Sequence, residues 1–123
     1  MIISICFFLN HKSTKILNAL YVNNTFVVPP TYNADGTECF FNCNPTAAIT
    51  VNLALLSGYG QLVIVTDTGG LAGTNNITIN APSGFNICVP GAVQAPSYTI
   101  NQNFGTVTMI SISGNYYVLS QGG

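Results

Sequence analysis

Residues 61–80, QLVIVTDTGGLAGTNNITIN, run an apolar strand into a glycine-rich turn and out again as a second, alternating strand. Val63 and Val65 lie on one face of an extended segment and Leu62 and Ile64 on the other. That strand is apolar on both faces and needs cover on each. Asp67-Thr68-Gly69-Gly70 ends it, because aspartate bonds its own backbone two residues on and paired glycines accept positive φ. Ile77 and Ile79 then alternate with Asn76, Thr78 and Asn80. A chain centred on such a unit is committed to sheets.

The flanks repeat the pattern. Asp35-Gly36 reads as a turn, 39–44 as a strand, Asn44-Pro45 as a turn, and Ile49, Val51, Leu53 and Leu55 as an alternating strand. Ser57-Gly58-Tyr59-Gly60 leads into the central unit, and Ala81-Pro82-Ser83-Gly84 leads out to a strand over 85–89. Beyond Pro90-Gly91 comes a short strand, Tyr98-Thr99-Ile100. Residues 106–113 are predicted to pair with 116–120 across Gly114-Asn115, a type II′ turn with glycine first. Val107 and Met109 share one face and Ile110 and Ile112 the other, which requires burial on both sides or a bulge near residue 109. No stretch after Tyr21 has helical apolar spacing. The expected fold is all-β, an antiparallel β-sandwich of jelly-roll type with about 8 to 10 strands.

The N-terminal run MIISICFFL follows a different logic. No positive charge precedes it, Lys12 and Lys15 follow it, and nine residues fall short of the about 20 a bilayer span needs. It reads as a β-strand or docking peg rather than an export signal or membrane span. Residues 13–21, STKILNALY, allow a short helix capped by Ser13 or a plain connector. Phe26-Val27-Val28 reads as a strand stopped by Pro29-Pro30. The expected organisation is therefore an N-terminal arm over 1–31 and a β-sandwich domain over 32–123.

Chemistry is sparse. Charged residues make up 4% of the 123, against about 25% in ordinary soluble proteins. Two basic residues and a net charge of −1 provide no footprint for nucleic acid. A surface of amides and hydroxyls suits a protein whose neighbours are copies of itself, where shape and hydrogen bonds set specificity. Asp35, Glu38 and Asp67 are the only carboxylate side chains. Asp67-Thr68-Gly69 matches the D-T-G of aspartic proteases, yet it sits at mid-chain and continues Gly70-Leu71-Ala72-Gly73, so it reads as a turn. His11 has no nucleophile setting, and no phosphate-binding glycine loop occurs. Asn23-Asn24-Thr25 and Asn76-Ile77-Thr78 match the glycosylation pattern by chance in so Asn- and Thr-rich a chain. Cys39 and Cys43, roughly 13 Å apart on a strand at about 3.3 Å per residue, cannot bridge each other. With Cys6 and Cys88 they are read as free thiols in a reducing cytoplasm rather than as zinc ligands. No catalytic, cofactor-binding or metal-binding residue is assigned. Tyr59, Tyr98, Tyr116 and Tyr117 are candidates for a sugar-binding platform, with core packing as the competing role.

From Tyr32 onward the ordered series ITVNLAL, VIVTDTGG, NNITI, FNICV, YTINQNFGTVTMIS and SGNYYVLS resembles a β domain of bacteriophage tail fibres. It equally resembles a β domain of fibre, spike or capsid-associated proteins of large DNA viruses. The resemblance covers about 90 residues, by count of the matched stretch. Ala54 stands where a proline is usual, and Tyr116-Tyr117 where a tryptophan is usual. The resemblance does not reach residues 1–31; it implies a virion structural module, often trimeric, that joins a fibre to the particle or lies along its shaft, and it brings no catalytic residues. With the weakly charged surface and the apolar N-terminal arm, the expected protein is a non-enzymatic, cofactor-free virion component, assembled in the host cytoplasm, that self-assembles as a trimer and docks on other virion proteins through residues 1–31. The alternative is a carbohydrate-binding adhesin domain with a host glycan as ligand.

Overall fold

The structure is a computed structural model and describes residues 7–8, 21–56 and 60–123. Those residues form twelve strands: β1 (Phe7–Phe8), β2 (Tyr21–Val22), β3 (Asn24–Val27), β4 (Thr31–Asn33), β5 (Phe40–Cys43) and β6 (Ile49–Asn52). They continue with β7 (Gln61–Asp67), β8 (Ile77–Asn80), β9 (Ile87–Cys88), β10 (Ser97–Ile100), β11 (Thr106–Ile112) and β12 (Asn115–Gly122). The all-β class matches the sequence reading. Among the described residues no helix is long and apolar enough to cross a membrane.

β1 and β2 pair antiparallel on their own, so part of the apolar N-terminal run is a strand. Residues 1–6 and 9–20, with the expected helix or connector and His11, lie outside the described residues. The other strands make a four-stranded sheet, β10-β8-β6-β4, and a six-stranded sheet, β3-β5-β7-β11-β12-β9.

The antiparallel expectation fails. Five pairings are parallel: β3 with β5, β5 with β7, β4 with β6, β6 with β8, and β9 with β12. From β3 to β8 the chain steps alternately between the two sheets, and each strand lies alongside its counterpart one step earlier. Three rungs, β3–β4, β5–β6 and β7–β8, stack as in a short parallel solenoid. A passage through the opposite sheet replaces the helix that commonly links parallel neighbours. β10 and β11 close the stack by pairing antiparallel with β8 and β7.

The rungs carry a repeat. Thr31-Tyr32-Asn33, Thr50-Val51-Asn52 and Thr78-Ile79-Asn80 lie side by side in register. The middle residue of each packs into the core, and the threonine and asparagine face outward. Asn80 Nδ2 donates to Asn52 Oδ1 at 2.9 Å, and Asn52 Nδ2 donates to Asn33 Oδ1 at 2.8 Å. Asn52 is the shared link. Asn52→Ala is expected to cost about 1–2 kcal/mol, two hydrogen bonds at about 1 kcal/mol each, read as a lower urea midpoint at unchanged slope. Thr50→Ala, which breaks no such bond, should stay within about 0.5 kcal/mol.

Both sheets feed one core, in which Phe41, Val65 and Met109 from one meet Val51, Ile79 and Ile100 from the other. Val27 of β3 is fully buried in it. Since β3 and β4 belong to the two large sheets, the main unit starts upstream of the expected boundary between 31 and 32. Pro29 and Pro30, joined by a cis peptide, sit where the chain passes from one sheet to the other rather than where a domain begins.

The β11–β12 hairpin corrects a second detail. Ile112 pairs with Asn115, so the turn residues are Ser113 and Gly114, both at positive φ (51° and 97°). That is the pattern of a type I′ turn, one residue earlier than expected and of the other primed type. Of the two alternatives for this strand, burial on both faces or a bulge near 109, the pairing with β12 shows a register shift between Thr108 and Met109. β11 itself alternates without interruption, and Leu119 of β12 is the extra residue.

Candidate functional site

The opening turn resolves into a sealed carboxylate. Asp67 is fully buried at the end of β7. Its Oδ1 accepts from the Gly70 N–H at 2.8 Å, and its Oδ2 accepts from the Ala72 and Phe104 N–H groups at 2.9 and 3.0 Å. Three backbone donors thus occupy both oxygens. The arrangement ties the β7–β8 turn to the β10–β11 turn and leaves Asp67 no face for a substrate. Phe104 has a left-handed backbone, φ 59°, and its N–H bond to Asp67 helps hold it there. Its ring stands against Gly70, itself at φ 75°. Gly70 is required twice over, for its backbone angle and for the space the ring takes.

Glu38 is the second buried carboxylate, 4% exposed. It accepts from the Tyr32 hydroxyl at 2.7 Å and from the Asp35 and Gly36 N–H groups. Its own carbonyl accepts from Gln61 Nε2 at 2.8 Å, and the Gln61 N–H donates to Ser111 Oγ at 3.0 Å. This chain of bonds pins the first rung to β7 and β11. Burial, then the bond and charge of Glu38, push Tyr32 up to about 12. Asp35 is exposed, with Thr37 donating twice to it, and those bonds hold it below its ordinary range. All three carboxylates are therefore engaged locally, two as buried anchors and one as a turn.

The cysteines divide. Cys43 and Cys88 are free thiols, and burial followed by the nearby Asp67 charge pushes Cys43 up to about 12. It is a protonated, inert core group at neutral pH. Cys39 is disulfide-bonded, with its partner outside the described residues. The expectation of four free thiols is corrected: spacing excluded only the Cys39–Cys43 bridge, not a bond to a distant cysteine. Thiol usage therefore no longer argues for a reducing cytoplasm.

The four tyrosines do not form one platform. Tyr116 is 1% exposed, and its hydroxyl donates to the Ala54 carbonyl at 2.7 Å. Burial pushes its hydroxyl above the ordinary tyrosine range, and it is a core residue. Tyr117, its neighbour, points to the opposite face and is 37% exposed. Tyr98 lies on β10 and takes part in a cleft, while Tyr59 falls outside the described residues.

Two surfaces remain. One is the outer face of the six-stranded sheet, where Leu62, Ile110, Tyr117 and Cys88 form a register row across β7, β11, β12 and β9. Leu119, 58% exposed, lies beside that row on β12, and Phe26, 62% exposed, lies at the β3 edge. Contiguous exposed apolar side chains of this kind mark an interaction surface more often than a face left to solvent. The other surface is a cleft of about 300 Å³ where β10 meets the ends of β11 and β12, lined by Tyr98, Asn101, Gln102, Thr106 and Gln121 among others.

No protein-family model and no curated protein matches the chain.

Proposed function

We propose that the protein is a structural module of a virus particle, a fibre, spike or capsid-associated unit that assembles with copies of itself. The observation that carries this reading is the outer face of the six-stranded sheet, an apolar row flanked by exposed Phe26 and Leu119 on a chain that is 4% charged. Such a face, without charge to keep copies apart, favours burial against an identical neighbour. The stacked rungs support the same reading. They form a stiff element bound by backbone ladders and an asparagine row, suited to bearing load along a shaft. Three copies around one axis, as the fibre-like series implies, would bring three such faces together.

Native mass spectrometry of the purified chain at micromolar concentration, paired with peptide mass spectrometry of purified particles, tests the proposal. A three-copy mass and recovery in particles are expected. A stable monomer, or a chain found in cell fractions and never in particles, overturns it.

A further inference from the structure

We infer that a small cavity at the starts of β7 and β12 is a binding site for one water molecule, held by the side-chain oxygen of Gln61. Gln61, Ser111 and Tyr116 form a buried, inward-facing register row across β7, β11 and β12. Gln61 is 1% exposed. Its Nε2 donates to the Glu38 carbonyl at 2.8 Å, and its N–H donates to Ser111 Oγ. Among the described residues, its Oε1 is the one buried side-chain nitrogen or oxygen with no hydrogen-bond partner. Rotating the amide does not repair this. The oxygen would then face the Glu38 carbonyl, acceptor against acceptor, and the bond from Nε2 would be lost. An acceptor this far from solvent carries its full desolvation penalty unless a donor reaches it.

The surroundings specify the donor. Gln61 lines a cavity of about 10 Å³ together with Glu38, Phe41, Leu53, Val63 and Tyr116, all of them buried. A single water needs about 10–15 Å³, so the space suits one water and no organic ligand. A metal cation fits poorly. Both Glu38 oxygens are already engaged, Oε1 by the Asp35 and Gly36 N–H groups and Oε2 by the Tyr32 hydroxyl and the Asp35 N–H. A cation would therefore be stripped of its own water with no free carboxylate lone pair to replace it. A buried water needs at least two polar partners, and the cavity supplies them. One proton goes to Gln61 Oε1. The other goes to Tyr116 Oη, whose own proton is given to the Ala54 carbonyl at 2.7 Å and whose lone pairs have no donor among the described residues. The water thus bridges β7 and β12 beside the Glu38 anchor, and this end of the core closes through hydrogen bonds as well as apolar packing.

Crystal structures of the full chain, wild type and Gln61→Met, at a resolution where ordered waters are distinct, test this together with oxygen-17 relaxation dispersion in solution. Methionine keeps the length of the side chain and removes the amide oxygen. In the wild type a single density peak is expected at hydrogen-bond distance, about 2.7–3.2 Å, from both Gln61 Oε1 and Tyr116 Oη. In Gln61→Met that peak is lost, and the relaxation data count one long-lived water fewer per chain. Should Gln61→Met not fold, the wild-type density decides alone. No peak at Gln61 Oε1, an Oε1 bonded to a protein group instead, or a peak with the contacts of about 2.3–2.6 Å typical of a cation would each overturn the inference. So would an unchanged count of long-lived waters in folded Gln61→Met.

Discussion

Asp67→Ala is expected to lower the unfolding free energy by about 4 kcal/mol, on the rule that each buried donor left without its acceptor costs about 1–3 kcal/mol. The Gly70, Ala72 and Phe104 N–H groups all lose their partner at once. Against a usual total of about 5–15 kcal/mol, this is a large share. Guanidinium unfolding followed by circular dichroism gives the number. Asp67→Asn is the sharper comparison: it keeps one acceptor oxygen but turns an NH₂ toward one of the backbone donors. A loss of about 2–3 kcal/mol is expected for it. Wild-type stability in Asp67→Asn would contradict the role of a doubly accepting anchor.

Tyr116→Ala comes second, with an expected loss of about 3–5 kcal/mol for a large aromatic removed from a packed core. The hydroxyl also links the six-stranded sheet to the segment after β6 through Ala54. Tyr116→Phe isolates that link and should cost about 1 kcal/mol. Tyr117→Ala, one residue along but on the outer face, should cost under about 1 kcal/mol. Equal losses at 116 and 117 would contradict the assignment of one to the core and the other to the surface.

The two-fold alternation of strand side chains explains what could be read from the chain alone. Ile77 and Ile79 announced an alternating strand and Asp67 with its glycines a reversal, and both take those places; the strand before them was read as covered on both faces, but Val63 and Val65 are buried while Leu62 and Ile64 are only half-buried. Strand direction was not legible, because alternation is the same in parallel and antiparallel ladders. Leu55 shows the limit of the pattern: it continues the alternation of Ile49, Val51 and Leu53 but is 61% exposed, beyond the end of β6. The signal for parallel stacking was present as Thr-x-Asn at 31–33, 50–52 and 78–80. The unequal spacing of those triplets, set by loops of different length, hides the repeat from any search for a fixed period. The amide cleft was still less legible. Tyr98 and Gln121 lie in different sheets, and only the closing of the rungs by β10 and β11 brings them together.

The assembly claim is tested most directly by sedimentation velocity on three proteins: the wild type, a Tyr117→Asp/Leu119→Asp double variant, and Thr50→Asp. The first variant charges the outer face of the six-stranded sheet and the second charges the outer face of the four-stranded one. Circular dichroism confirms that each is folded. A trimer is expected for the wild type and for Thr50→Asp, and a folded monomer for the double variant. A monomeric wild type, or a trimer that survives the double substitution, would contradict the account.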